Sequence, residues 1–108
     1  MKVISVNVGK AQEKEWQGKP VSTGIFKQPV ETKQWVSLMG IKGDEQADLK
    51  HHGGIDKAVY SYDLDYYTHW QQHLQRKTWE FGLFGENLTT QGLYDNEVRI
   101  GNVYQIGT

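Results

Sequence analysis

The chain has 108 residues, 37% of them hydrophobic, with 12 Lys plus Arg against 13 Asp plus Glu and a formal net charge of −1. That is one domain's worth of chain, and its balanced charge gives no support to nonspecific binding of nucleic acid or acidic membrane, which needs a field of one sign. It has no cysteine, which excludes a disulfide scaffold and cysteine-ligated zinc. Its apolar stretches are only a few residues long, so the expectation is a cytoplasmic protein without signal peptide or membrane span.

In chain order, residues 2–8 alternate through Val3, Ser5, Val6 and Val8 and predict a strand ending at Gly9. Residues 11–18 are polar around one large anchor, Trp16, and predict a loop or helical turn. Residues 21–26 predict a second strand closed by Lys27-Gln28-Pro29. Pro29 has no N–H to give a ladder and marks an edge or an end. Residues 34–41 predict a third strand. Residues 43–57 have no clean period and read as a long ordered loop, a length that is usually functional or disordered.

Residues 58–62 predict a short strand. Asp63 can then cap a helix in which Leu64, Tyr67, Trp70 and Leu74 fall near one face, closed by Arg76 and Lys77 at the negative end of the helix dipole. Residues 79–83 read as a turn-rich return and residues 85–92 as a second polar loop. Residues 98–100 and 103–106 predict two short strands around the Gly101-Asn102 turn. The sum is a mainly β domain, barrel or sandwich, with one inserted α-helix.

Several stretches could carry chemistry. Thr23-Gly24-Ile25-Phe26-Lys27 could hold an anion with a hydroxyl, close backbone approach and a cation. Alone, it also reads as a strand with a surface lysine. His52-Gly53-Gly54-Ile55-Asp56-Lys57 could turn backbone N–H groups into an anion nest beside a lysine, or be a common Gly-Gly turn. In Gly85-Glu86-Asn87-Leu88-Thr89-Thr90, Asn87 offers donors and an acceptor to the mixed edge of a pterin or purine, and Glu86 could pair with a cation or a ring N–H. A capped turn explains the same letters. His69 and His73 stand at metal-binding spacing on the helix, but Trp70-Gln71-Gln72 between them supplies no glutamate base, and surface histidines are the better reading. Ser5, Ser22, Ser37 and Ser61 lie in no nucleophile elbow.

Taken together, these blocks resemble the MOSC domain family in its short bacterial branch. The resemblance rests on Thr23-Gly24-Ile25-Phe26-Lys27-Gln28-Pro29-Val30, on Gly43-Asp44-Glu45-Gln46-Ala47-Asp48 followed by residues 52–60, and on residues 84–93, in order and at the family's spacing. It implies a single MOSC-like domain over residues 1–108, the N-terminal portion of the family's β-barrel, complete or incomplete. It implies a molybdenum cofactor (molybdopterin) pocket drawing on Thr23, Lys27, His52, Gly53, Gly54, Lys57, Glu86 and Asn87. The implied activity is sulfur transfer or the reduction of N-hydroxylated compounds.

The family's further strands and its Pro-Arg-x-Pro-Cys-like segment correspond to positions beyond residue 108, and Asn102 stands where the branch carries aspartate. No thiolate of this chain can ligate molybdenum, so no turnover is expected from it alone. A fragment, a short relative that lost the chemistry and a barrel completed by another copy through open sheet edges stay open. So does a non-catalytic pterin- or small-anion-binding barrel, or an interaction module.

Overall fold

The computed structural model describes residues 1–47, 53–76 and 78–108. Its elements are β1 (Lys2–Val8), β2 (Gln12–Trp16), β3 (Lys19–Thr23), β4 (Gln28–Val30), β5 (Val36–Ser37), β6 (Gly40–Ile41), β7 (Ser61–Asp63), α1 (Leu64–His73) and β8 (Leu88–Gln91), with short 3₁₀ turns at Ile55–Lys57 and Asp95–Glu97. The main sheet has four strands in the order β4-β1-β8-β7. Strand β1 runs antiparallel to both neighbours, setting Val6 against Val30 on one side and Leu88 on the other. Strands β7 and β8 are parallel, Tyr62 opposite Thr89. A parallel pair needs a crossover, and α1 lies in this one.

The helix forms where its local signals predict. Asp63 caps it, accepting the Asp65 N–H at 3.1 Å, and Tyr67 is its buried residue. It stops at His73, where the Leu74 N–H returns to Trp70 O at 2.8 Å. Arg76 is therefore outside the helix, and Lys77 lies outside the described residues.

Four predicted stretches fold differently, the first being residues 34–41, expected as one strand, which form the two-residue strands β5 and β6 paired antiparallel with Val36 opposite Ile41. Residues 11–18 are not a loop around Trp16: strands β2 and β3 pair as a hairpin with Trp16 opposite Lys19. The two connecting residues, Gln17 and Gly18, both have positive φ, 51° and 77°, the backbone twist that a two-residue hairpin turn requires. Trp16 itself is exposed. Residues 85–92 are not a loop throughout, because Leu88–Gln91 is an interior strand of the main sheet. Residues 98–106 form no strands. Asn102 N donates to Arg99 O at 3.0 Å and Arg99 N to Asn102 Oδ1 at 2.8 Å, which makes the expected turn without a ladder on either side.

A closed barrel is not found among the described residues. The described strands make one open four-stranded sheet and two two-stranded ladders, β2-β3 and β5-β6, and do not close. The last two predicted strands are the ones that do not pair. What stands is a mainly β fold with one α-helix. No helix among the described residues is long and apolar enough to cross a membrane.

The interior is unusual in composition. Among the described residues, the buried apolar ones are Ile41, Ala58 and Tyr67, whereas Asn7, Asp63, Glu86, Asn87, Thr89 and Thr90 are all buried and polar. Buried polar groups must be hydrogen-bonded or they cost heavily. Among the described residues, no buried side-chain N or O lacks a partner.

Candidate functional site

One cavity, of about 570 Å³, opens between the end of β3, the loop after β6, the 3₁₀ turn before β7 and the approach to β8. Its size is that of a small-molecule site. Thr23, Gly24, Ile25 and Lys27 form one wall and Asp44 to Ala47 another, while Asp56 to Tyr60 with Phe84, Gly85 and Asn87 complete it. Gly24 permits the first two walls to meet, since a Cβ there would stand 2.5 Å from the Glu45 carbonyl oxygen.

The walls are tied together at Asp44. Its Oδ1 accepts the Lys27 ammonium at 2.6 Å and the Gly9 N–H at 2.9 Å, and its Oδ2 accepts the Asn87 amide at 3.0 Å. The Lys27 and Asp44 side chains are only 8% and 5% exposed. Asn87 gives its amide also to Asn7 O at 3.2 Å and accepts the Tyr60 N–H at 3.0 Å. Glu45 adds two links to the end of β1, donating its N–H to Gly9 O at 2.9 Å and accepting the Ala11 N–H at 2.8 Å.

Behind this wall sits Glu86, fully buried. It accepts the Tyr67 hydroxyl, the Gly82 N–H at 2.9 Å, the Phe84 N–H at 3.1 Å and the Thr89 hydroxyl at 3.0 Å. Four donors on one carboxylate hold the loop of residues 80–87 against α1 and β8. Burial and the adjoining Glu86 carboxylate raise the Tyr67 phenol well above its ordinary value, so it stays a neutral donor. The Tyr60 phenol, on the cavity wall, is raised too, first by burial and then by the charge of neighbours including Glu86.

The sequence-derived candidates separate into three groups. Thr23, Lys27, Lys57 and Asn87 line this cavity. Gly53, Gly54 and Glu86 are not among its lining residues. The Gly54 N–H is taken by the Gln46 side chain at 2.5 Å, so it is no open nest, and Glu86 holds the loop behind. His52 lies outside the described residues. The His69 and His73 rings stack at 4.4 Å on the exposed helix face, His73 Nδ1 lying 2.8 Å from His69 O. No group of three or more His, Cys, Asp or Glu able to hold a metal occurs among the described residues. Asp44, Gln46 and Tyr60 were not singled out from the letters. A carboxylate between two glycine-rich stretches was the signal available for Asp44, but its partners are 17 and 43 residues away.

Comparison with known proteins gives the chain a family. The MOSC domain family matches residues 48–108. An uncharacterized protein, YflK, of Bacillus subtilis is 42% identical over 104 residues, covering 96% of this chain and 47% of its own length. Protein YiiM of Escherichia coli is 35% identical over 106 residues, covering 96% and 46%. A Gibberella moniliformis protein named Reductase is 31% identical over 107 residues, covering 97% of this chain and 19% of that protein. The chain thus spans about half the length of the first two. No solved structure gives a significant match. With more than half of its residues matched by the family and bacterial relatives aligned along nearly all of it, the chain belongs to the MOSC domain family.

Proposed function

We propose that the cavity binds the organic part of a molybdenum cofactor, the pterin and its phosphate, as one portion of a MOSC domain that serves reduction or sulfur transfer. The observation that carries this reading is convergence. Thr23, Lys57 with Tyr60, and Asn87 come from three separate stretches and line one cavity of about 570 Å³.

The residues suit that guest. A phosphate is met by cations and hydroxyls. Lys57 supplies a cation, and the Thr23 hydroxyl, which accepts the Ile25 N–H at 3.2 Å, has its own O–H to donate. The neutral Tyr60 phenol can donate to a ring edge, and the Phe84 ring offers an apolar face. The wall is preorganised, its buried polar atoms already partnered among the described residues. The metal end does not fit these 108 residues in the same way, since they include no cysteine thiolate. One relative carries the name Reductase. On this reading any electron chemistry belongs to the bound metal, and this chain binds and orients the pterin without turnover of its own.

The test is fluorescence titration of the purified 108-residue chain with a phosphorylated pterin. Saturable binding is expected, weakened by about tenfold or more in Lys57→Ala, the loss of one charge-assisted contact. Absence of binding at millimolar pterin, by a chain whose circular dichroism shows it folded, would end the reading.

A further inference from the structure

We propose that Asp44 sets the charge of this cavity: it withholds the Lys27 ammonium from the guest, so that the pair acts as a neutral strut and not as an anion receptor. The inference rests on the cavity being a ligand site and deepens that reading by naming a specificity-determining residue.

Geometry carries it. The ammonium and the carboxylate are 2.6 Å apart and both nearly inaccessible. An anion in the cavity meets both charges at similar distances, so their fields largely cancel there. Asp44 is also immobile. The same carboxylate takes the Gly9 N–H from the end of β1 and the Asn87 amide from the approach to β8, and Asn87 is held in turn by Tyr60 N and Asn7 O. Swinging Asp44 away to release Lys27 would take the acceptor from the part-buried Gly9 N–H and from one Asn87 amide N–H, a cost that one phosphate contact does not offset. Lys27 is thus a cation by sequence and part of a closed ion pair by structure.

The probe is inorganic phosphate, followed by heteronuclear NMR shifts and by the rise in melting temperature. Asp44→Asn keeps the shape and removes the negative charge, so the Lys27 charge becomes visible and phosphate affinity rises by about tenfold. The paired variant Asp44→Asn with Lys27→Met removes both charges and keeps phosphate affinity within about twofold of the unmodified chain, because a neutral strut contributed little field. If Asp44→Asn leaves phosphate affinity unchanged, Asp44 does not set the charge the anion meets, and if the paired variant loses about fivefold or more, Lys27 contacts the anion; either result overturns the inference. Should Asp44→Asn alone fail to fold, the paired variant decides. Failure of the pterin reading shows separately, as absent pterin binding by the unmodified chain, and leaves the phosphate comparison intact.

Discussion

The middle of the main sheet and the stretch of residues 98–106 are opposites in what they bury. In the sheet, Asn7 of β1 and Thr89 and Thr90 of β8 are inaccessible, with Asp63, Glu86 and Asn87 beside them. In residues 98–106, Val98, Ile100, Val103, Tyr104 and Ile106 all stand exposed. The difference teaches that burial here follows completed hydrogen bonding more than apolarity. Asn7 Nδ2 donates to Glu86 O at 3.2 Å and to Thr89 Oγ1 at 3.1 Å, and Ser5 Oγ donates to Asn7 Oδ1 at 2.7 Å. Asp63 caps α1 and also takes the Leu93 N–H at 2.8 Å and the Thr90 hydroxyl at 3.4 Å. A polar interior of this kind is stable only when every member is satisfied.

Glu86→Ala breaks the comparison most directly. It leaves the Thr89 hydroxyl and the Gly82 and Phe84 N–H groups without their acceptor, and the Tyr67 hydroxyl with only the Glu80 carbonyl at 3.3 Å. Destabilisation of about 3–5 kcal/mol is expected from several buried donors stranded at once, read from the urea midpoint. A loss below about 1 kcal/mol would mean that the polar interior is held elsewhere.

A smaller effect is expected in alkali. The Tyr67 phenol is raised by burial and by Glu86, and the Tyr94 phenol is pushed up to about 12 by its 2.6 Å hydrogen bond to Asp65. In the unfolded chain both ionise near the ordinary value of 10.0. Above that pH the unfolded state loses these protons while the folded state keeps them. The stability the two phenols contribute is therefore whole below pH 10 and is lost as pH rises toward 12 and beyond. Urea unfolding on either side of that threshold should show the decline, and Tyr67→Phe with Tyr94→Phe should flatten it. An unchanged slope would remove the buried phenol from the account.

The smallest effect belongs to the other region. Ile100→Ser should change stability by no more than about 0.5 kcal/mol, since Ile100 is fully exposed. A loss of about 2 kcal/mol would show that residues 98–106 are covered in solution.

The physical reason that some of this was legible lies in range. Strand β1 shows period-2 alternation within seven residues. The start of α1 is written in Asp63 and the turn after it, because a cap bonds two residues on. The family blocks could be read because their spacing is itself linear information. Strand β8 could not be read. Its letters, Leu88-Thr89-Thr90-Gln91, are those of a polar loop until Asn7, 82 residues away from Thr89, supplies a partner. The hairpin β2-β3 was hidden by its polar faces, which are exposed throughout β2.

Local periodicity and capping thus determined a β-rich chain with one helix, and motif order pointed to the family and to both lysines that line the cavity. Tertiary structure decided which polar residues are interior, that the described strands form an open sheet, and that Lys27 meets Asp44. Each of those outcomes depends on hydrogen bonds between residues far apart in the chain, whose geometry no local pattern contains.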